Sequence, residues 1–288
     1  MTQTRRRDGK SIRRPVVRYE SGAPSTRADS VAVEEPLEIR VAGETLALTM
    51  RTPGHDHELA VGFLFSEGIL PGKDALGFVV HCGRPGEDGF GNVIDVTAAP
   101  GTAFDVERTR LARRGTITTA ACGVCGRASI DDLLARIGAV ARERRRDPDA
   151  AGARFSARNL SQWVRSLRDQ QPLFAETGGV HAAALLSNDG QFIATREDVG
   201  RHNAVDKVVG RAVLDGLVPL DGHALVVSGR TSFEIVAKAA VAGVSLVAGV
   251  SAPSSLAIDV ATRSGLTLVG FARDEAFTVY ANPERIAD

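Results

Sequence analysis

Residues 224–271 have the sequence ALVVSGRTSFEIVAKAAVAGVSLVAGVSAPSSLAIDVATRSGLTLVGF, which is the part of the chain that best indicates its fold class. It contains three continuously apolar runs that we predict to be strands: Ala224–Val227, Ser245–Val250 and Leu266–Phe271. Helix-like segments of about ten residues separate these runs. Strands that are apolar on both faces and are joined by helices are typical of a parallel sheet covered on both sides. The sequence therefore predicts an α/β domain with a largely parallel sheet.

The N-terminal half has a different pattern. Apolar and polar residues alternate on both sides of Ala42-Gly43-Glu44, which predicts a hairpin with one buried face. A helix is predicted from Glu58 to Ile69, followed by strands at Gly77–His81 and Asn92–Thr97. We therefore predict a small β-rich domain over residues 31–113 and the α/β domain over residues 114–288. The whole chain is then α/β in its larger part and α+β overall.

The first 18 residues carry seven Arg or Lys and one Asp, which predicts a basic flexible arm over residues 1–30. The apolar stretch that a twin-arginine export signal needs does not follow these arginines. The longest uncharged run, Ala239 to Ile258, contains Gly243, Gly249 and Pro253, so it fits a buried helix, strand and loop better than a bilayer span. We expect a soluble, cytoplasmic protein that is not bound to a membrane.

Charge and cysteine content exclude several classes of protein. The chain has 35 Lys and Arg against 35 Asp and Glu. A net charge of zero argues against a protein that binds nucleic acid by bulk charge. Three Cys among 288 residues exclude a disulfide scaffold. Two of these Cys are three residues apart, which indicates thiol chemistry or a metal in a reducing compartment.

The two neighbouring cysteines, Cys122 and Cys125, lie in the sequence CGVCG just before a predicted helix. The helix dipole and the positive charge of Arg127 favour a thiolate there, as a nucleophilic or sulfur-carrying cysteine requires. A zinc site is an alternative, for which Cys82 or His181 would have to complete the ligands. Further alternatives are a redox pair and small buried hydrophobic residues.

Two loops have the same place in the predicted fold: each follows a predicted strand and precedes a predicted helix. They are Ser228–Ser232 and Ser251–Ser255. Small and hydroxylated residues in this position can bind phosphate, with Arg230 as a bidentate partner. The alternative is ordinary helix capping by Ser232 and Ser254. Two such loops at one edge of a sheet favour a ligand crevice, whose candidate residues are Ser228, Gly229, Arg230, Ser232 and Ser251.

A polar stretch from Arg196 to Lys207 begins another predicted helix. Asp198 and His202 could share a face there and serve in proton transfer or ligand binding. Solvated surface charge is the simpler interpretation of these residues.

Together these segments resemble one family, the formate dehydrogenase accessory sulfurtransferases, also called sulfur carrier proteins. The matching strings occur in family order and cover most of the chain from about Glu35 to its end. They are ACGVCG, ETGGVHAAAL, REDVGRHNAVDKV, VSGRTSFEIVAKAAVAGV, SAPSSLAIDVA, LVGFARDE and VYANPERI.

The resemblance implies a fold, a reaction and a set of partners. Such proteins accept sulfur from a cysteine desulfurase as a cysteine persulfide. They transfer it to the molybdenum or tungsten bis-molybdopterin guanine dinucleotide cofactor before this cofactor enters formate dehydrogenase. The family fold pairs a small β-rich domain with a cytidine-deaminase-like α/β domain, usually in a homodimer.

The resemblance also implies site residues. Cys122 matches the persulfide position and Cys125 its partner. The cofactor-binding stretch corresponds to Phe271, Ala272, Arg273, Asp274, Glu275 and Ala276. A deaminase-like fold raises the question of hydrolytic deamination, but His181-Ala182-Ala183 lacks the glutamate that this reaction needs. The alternative function is a non-catalytic cofactor chaperone, or a metal-binding module in which the CxxC pair is structural.

Overall fold

The computed structural model describes residues 9–84, 90–105, 134–135, 137–138, 154–273 and 275–287. The main strands, in chain order, are β1 (Ser11–Glu20), β2 (Ala23–Ala32), β3 (Glu35–Val41), β4 (Glu44–Arg51), β5 (Leu76–His81), β6 (Val93–Ala98), β7 (Phe155–Ser156), β8 (His181–Leu186), β9 (Phe192–Asp198), β10 (Ala224–Val227), β11 (Leu246–Gly249), β12 (Thr267–Arg273), β13 (Ala276–Ala281) and β14 (Ile286–Ala287). The α-helices that lie wholly within the described ranges are α1 (Asp56–Ser66), α2 (Ala157–Asp169), α3 (Pro172–Thr177), α4 (Arg201–Asp215), α5 (Phe233–Val241) and α6 (Ser255–Ser264).

The largest sheet has the strand order β13-β12-β11-β10-β8-β9. Its centre, β10-β11-β12, is parallel and is connected through α5 and α6, which confirms the α/β class. Strands β13, β8 and β9 join it antiparallel. The sheet is therefore mixed, and the expectation of a largely parallel sheet is wrong outside its centre. The reason is that two antiparallel hairpins, β8–β9 and β12–β13, extend the parallel centre on both sides.

Helices cover both faces of this sheet, because alternate residues of its central strands face two separate cores. Leu225 and Val227 of β10 belong to a core shared with α4, α5 and α6. Ala224 and Val226 of the same strand face the other core, to which α2 contributes Trp163. The uncharged run that includes β11 is accordingly a buried helix end and a buried strand followed by a surface loop, as its glycines and proline indicate. None of the helices among the described residues is both long and apolar enough to cross a membrane.

A second sheet, of order β4-β3-β6-β5, forms the small β-rich unit. Leu37, Ile39 and Val41 of β3 are buried, which confirms the predicted buried face. The prediction fails for Leu48 of β4, which is exposed. A register shift after Ile39 is the physical reason, because one extra residue turns the following side chains to the other face.

The small sheet and the large sheet share one continuous hydrophobic core, with α1 and α4 between them. The backbones of these two helices touch at Gly62 and Gly210. A buried ion pair lies beside this contact, where Lys238 Nζ of α5 donates to Asp206 of α4 at 2.8 Å. Ser66 Oγ of α1 donates to the same carboxylate at 3.2 Å. Helix α4 is thus in contact with both halves of the chain.

Residues 11–32 form an antiparallel ribbon, β1–β2, within the region for which the sequence predicts a flexible arm. The turn between the strands consists of Ser21 and Gly22, which both have positive φ angles, 52° and 86°. Such a turn fits the right-handed twist of two adjacent strands, and Ser-Gly is a sequence that permits it. The division of the chain into residues 1–30, 31–113 and 114–288 stays a prediction.

One ion pair connecting the two halves makes stability depend on pH. Arg196 of β9 donates to Glu58 of α1, with Nη2 2.7 Å from Oε1. Burial alone would raise the pKa of Glu58, but the hydrogen bonds from Arg196 and His55 outweigh it and lower the pKa to about 2. A carboxyl with a lowered pKa stabilises the fold above its unfolded pKa of 4.5. This stabilisation is lost as the pH falls towards 2.

We therefore expect Glu58→Gln to lower the free energy of unfolding by up to about 3 kcal/mol at pH 7. The difference from the wild type should shrink between pH 4.5 and pH 2. Urea denaturation across this range measures it, with Glu284→Gln on the exposed surface as the control. A difference that is constant with pH would contradict the assignment.

Candidate functional site

The ends of the three parallel strands meet at one edge of the large sheet. Two loops extend from this edge, Ser228–Ser232 between β10 and α5, and residues 250–254 between β11 and α6. A backbone bridge links Thr231 to Pro253, and the N–H of Ser254 donates to the carbonyl of Thr231 at 3.3 Å. The predicted meeting of the two loops is therefore present, and they form one surface.

Glycines allow this close packing. A Cβ on Gly249 would lie 2.7 Å from Thr231 Cγ2 and 3.0 Å from the carbonyl oxygen of Gly229. A Cβ on Gly270 would lie 3.0 Å from Pro253 Cδ. Neither glycine position has room for a side chain. The two loops and the end of β12 can therefore pack closely against one another.

The end of β12 supplies the third segment. Phe271 has a left-handed backbone, with φ 53°, and its N–H donates to the carbonyl of Ser251 at 3.2 Å. The side chains of Phe271 and Arg273 are exposed, whereas that of Ala272 is buried in the core. Glu275 and Ala276 are exposed at the hairpin turn that follows. Ala272 is fully buried, backbone included, so the prediction that it contacts the cofactor is wrong for this one residue of the stretch.

The serine hydroxyls of the loops differ in their roles. Ser254 Oγ accepts from the N–H of Ala257, so Ser254 is a helix cap, as the simpler interpretation has it. Ser228 Oγ accepts from the N–H of Ala182 at 2.8 Å and ties its loop to β8. Ser232 does not cap α5 with its side chain. Arg230 is exposed on the surface of its loop.

His181 lies at the same sheet edge, at the start of β8. Its Nδ1 is 3.5 Å from the position that a Cβ on Gly229 would take. Burial lowers the pKa of His181, and the positive charge of Arg201 lowers it further. Both effects favour the neutral imidazole, which lies beside the first loop.

Asp198 and His202 do not act together, contrary to the hypothesis from their spacing. The carboxylate of Asp198 is fully buried. It accepts from the backbone N–H of Thr52 at 3.1 Å and from that of Gly200 at 2.8 Å. Lys207 Nζ lies 2.7 Å away as its ion partner. Asp198 therefore holds β9, α4 and the small sheet together and does not face a ligand.

His202 instead contacts the first loop, Ser228–Ser232. Its Nε2 lies 3.3 Å from Ser232 Oγ, and its Nδ1 lies 3.2 Å from Glu234 Oε2. Sequence reasoning missed Glu234 and Lys207, the partners of His202 and Asp198. The available signal was that Glu234 and Lys207 lie inside the strings VSGRTSFE and HNAVDK, next to residues already under consideration.

Cys122, Cys125 and Asp274 lie outside the residues that the structure describes. Cys82 directly follows β5 in the small sheet and is partly buried. Within the described ranges, no group of three or more His, Cys, Asp or Glu side chains could hold a metal ion. Among the described residues, the candidate site is therefore the sheet edge at which the three segments converge.

Comparison with known proteins places the chain in a family. A family model described as FdhD/NarQ matches residues 32–287. A sulfur carrier protein FdhD from Anaeromyxobacter dehalogenans is 54% identical over 264 residues, which cover 90% of this chain and 88% of the relative. A protein of the same name from Streptomyces avermitilis is 48% identical over 278 residues, which cover 96% of this chain and 95% of the relative.

A solved structure agrees with these relatives. The crystal structure of a formate dehydrogenase accessory protein from Desulfotalea psychrophila superimposes with a TM-score of 0.72 and 26% identity. The match covers 96% of this chain and 99% of the other. The resemblance that the sequence motifs indicated is thereby confirmed: the chain belongs to the FdhD/NarQ family.

Proposed function

We propose that this protein is a cytoplasmic sulfur carrier that serves formate dehydrogenase. It takes sulfur from a cysteine desulfurase as a persulfide on Cys122 and transfers it to the bis-molybdopterin guanine dinucleotide cofactor, its substrate. The observation that carries the proposal is the convergence of three ligand-accessible segments at one sheet edge. They occur in a chain whose relatives are named sulfur carrier proteins.

The sulfur chemistry needs a thiolate. The Cys122 thiolate attacks the terminal sulfur of the desulfurase persulfide, a new S–S bond forms, and the desulfurase thiolate leaves. In the second transfer the S–S bond of the Cys122 persulfide breaks, and the Cys122 thiolate is regenerated. The terminal sulfur passes to the cofactor as a neutral atom, and the cofactor supplies the two electrons that reduce it to sulfide. Cys125, three residues away, is proposed as the partner of Cys122 in this cycle.

The sheet edge is proposed to bind the nucleotide part of the cofactor. Helices α5 and α6 both begin there, and helix N-termini attract phosphate. The exposed guanidinium groups of Arg230 and Arg273 can pair with phosphate oxygens. The other proposed contacts are Ser228, Gly229, Ser232, Ser251, Phe271, Asp274, Glu275 and Ala276.

Mass spectrometry after incubation with a cysteine desulfurase and cysteine tests this function. We expect the wild type to gain reducible sulfur that maps to Cys122. We expect Cys122→Ala to lose this gain, because the attacking thiolate is absent. Cys82→Ala is the matched control and should gain sulfur like the wild type, since Cys82 belongs to the small sheet.

Nucleotide binding is the second readout of the same experiment. Cys122→Ala should still bind guanosine diphosphate, because its sheet edge is unchanged. A sulfur gain that persists in Cys122→Ala contradicts the proposed acceptor. No gain on the wild type, together with formate dehydrogenase maturation by Cys122→Ala, would favour the cofactor chaperone or metal-binding module. The homodimer that the family resemblance implies is part of this proposal as well.

A further inference from the structure

Arg201 is a partly buried cation that lacks an acceptor among the described residues. It is the first residue of α4 and directly precedes His202, which contacts the first loop. Its Nε is buried and has no hydrogen-bond partner in the described part of the chain. Within the same ranges, Arg201 forms no ion pair with a carboxylate. The sulfur chemistry and the nucleotide contacts proposed above give this residue no role.

Three acidic side chains precede Arg201 in the sequence or contact its neighbour His202, and all three have other partners. Glu197 accepts from two backbone N–H groups at the start of α3, at 3.0 and 2.8 Å. Asp198 is paired with a buried lysine ammonium group 2.7 Å away. Glu234 lies 3.2 Å from Nδ1 of His202. None of these carboxylates therefore compensates the charge of Arg201.

An uncompensated guanidinium group reduces the stability of a fold. Such a group stays protonated in proteins, so it cannot become neutral when it is buried. Transferring a charged group out of water without a partner is unfavourable, and buried charges are therefore normally paired or hydrogen-bonded. A buried polar group without a partner in a native structure needs an explanation, such as a bound ion. For Arg201 the missing partner is an anion, which a ligand can supply.

Arg201 lies at the edge of the candidate site, and His181 connects it with the first loop. Nδ1 of His181 is 3.5 Å from the position that a Cβ on Gly229 would take. Burial lowers the pKa of His181 most, the charge of Arg201 lowers it further, and the charge of Asp198 raises it. The guanidinium group is therefore close enough to the imidazole to act on it. Arg201, His181 and the first loop are neighbours at this end of the sheet.

We propose that Arg201 binds a phosphate group of the nucleotide beside the first loop, in addition to the contacts of Arg230 and Arg273. The planar guanidinium group presents parallel N–H groups that match two oxygens of a phosphate. The imidazole of His181 beside it can donate one further hydrogen bond in its neutral form. The inference rests on the proposed function, because the ligand is the guanine nucleotide part of the cofactor.

Binding measurements with guanosine diphosphate and with guanosine test this role. We expect Arg201→Met to weaken the binding of guanosine diphosphate at least about 10-fold, because one charge-assisted hydrogen bond to the phosphate is lost. Guanosine has no phosphate, so its binding should be alike in the variant and the wild type. Arg201→Lys keeps the charge but not the planar group, and its affinity should lie between the two. Arg211→Met removes an exposed cation from the same helix and is the matched control, which should bind like the wild type.

Unfolding in urea without ligand distinguishes a binding residue from a structural one. Methionine keeps an apolar stem at position 201 and removes the uncompensated charge. The urea midpoint of Arg201→Met should therefore equal or exceed that of the wild type, as is common when a group that serves binding at the expense of stability is replaced. A structural residue would show the opposite, so a lower midpoint for Arg201→Met would overturn the inference.

The outcomes separate this inference from the proposed function. If Arg201→Met binds guanosine diphosphate as tightly as the wild type, the role of Arg201 is wrong and the nucleotide surface stands. If guanosine binding is weakened as much as that of guanosine diphosphate, Arg201 does not act on the phosphate. A wild type that does not bind guanosine diphosphate overturns both the nucleotide surface and the role of Arg201. Sulfur loading of Cys122 is scored separately in every case.

Discussion

Replacing Gly210 by Ala is expected to destabilise the protein by at least about 3 kcal/mol, or to prevent folding, because overpacking against rigid backbone is costly. A Cβ on Gly210 would lie 1.8 Å from the carbonyl oxygen of Glu58 in α1. The reciprocal replacement, Gly62→Ala, would place a Cβ 1.9 Å from the carbonyl oxygen of Asp206 in α4. Both obstructing atoms are helix backbone, so no side-chain rotation can relieve the clash. The two helices would have to separate and leave a gap in the shared core.

Chemical denaturation of purified variants measures this effect, and Gly72→Ala is its matched control. Gly72 has an extended backbone, with φ 169°, and a Cβ there would meet nothing within 4 Å. Its replacement by Ala should change the free energy of unfolding by less than about 0.5 kcal/mol. If Gly210→Ala behaved like Gly72→Ala, α1 and α4 could not be in backbone contact at this point.

Lys207→Met is expected to cost about 3–5 kcal/mol, because it leaves Asp198 as an unpaired buried charge. The side chains of Lys207 and Asp198 are 1% and 0% exposed, and Lys207 Nζ also donates to the carbonyl of Thr52 at 2.9 Å. Removing the ammonium therefore disrupts the junction between the large sheet and the small sheet, in addition to the pair itself.

The same helix offers a matched control for this second prediction. Arg211 and Asp215 form an exposed pair with 2.7 Å between Nε and Oδ2. Exposed pairs contribute about 0–1 kcal/mol, so Arg211→Met should change stability little. The double variant Asp198→Asn/Lys207→Met should recover part of the loss, since it removes the unpaired charge. Equal unfolding free energies for Lys207→Met and Arg211→Met would show that the buried pair contributes no more to stability than the exposed pair does.

Much of the α/β half could be predicted from the sequence, because its signals are local. Strand β10 has the predicted bounds, and β11 and β12 lie within two residues of theirs. Strands β10 and β11 are apolar runs followed by small or hydroxylated residues, which also locates the two loops of the site. The way in which hairpins β8–β9 and β12–β13 attach to this sheet is not local. It depends on pairing between distant strands, which periodicity does not encode.

The rest of the candidate site escaped prediction for the same reason. The partners of Asp198 include Thr52, which is 146 residues away in sequence. Their contact follows from the packing of the small sheet on α4. Nothing in the spacing of Asp198 and His202 indicates whether a carboxylate faces solvent or the core. The ribbon at residues 11–32 escaped prediction because its arginines indicate a flexible basic arm. Its Ser-Gly turn and its alternating Val and Tyr are nevertheless strand signals.

The position of α4 between the two sheets has a consequence for folding. Both halves of the chain bury apolar side chains against this one helix, so neither has a complete core without it. A fragment cut between the β-rich and α/β regions would expose the matching surface on each piece and would be prone to aggregate. We therefore expect the two regions, which differ so clearly in sequence pattern, to unfold together and not as separate domains.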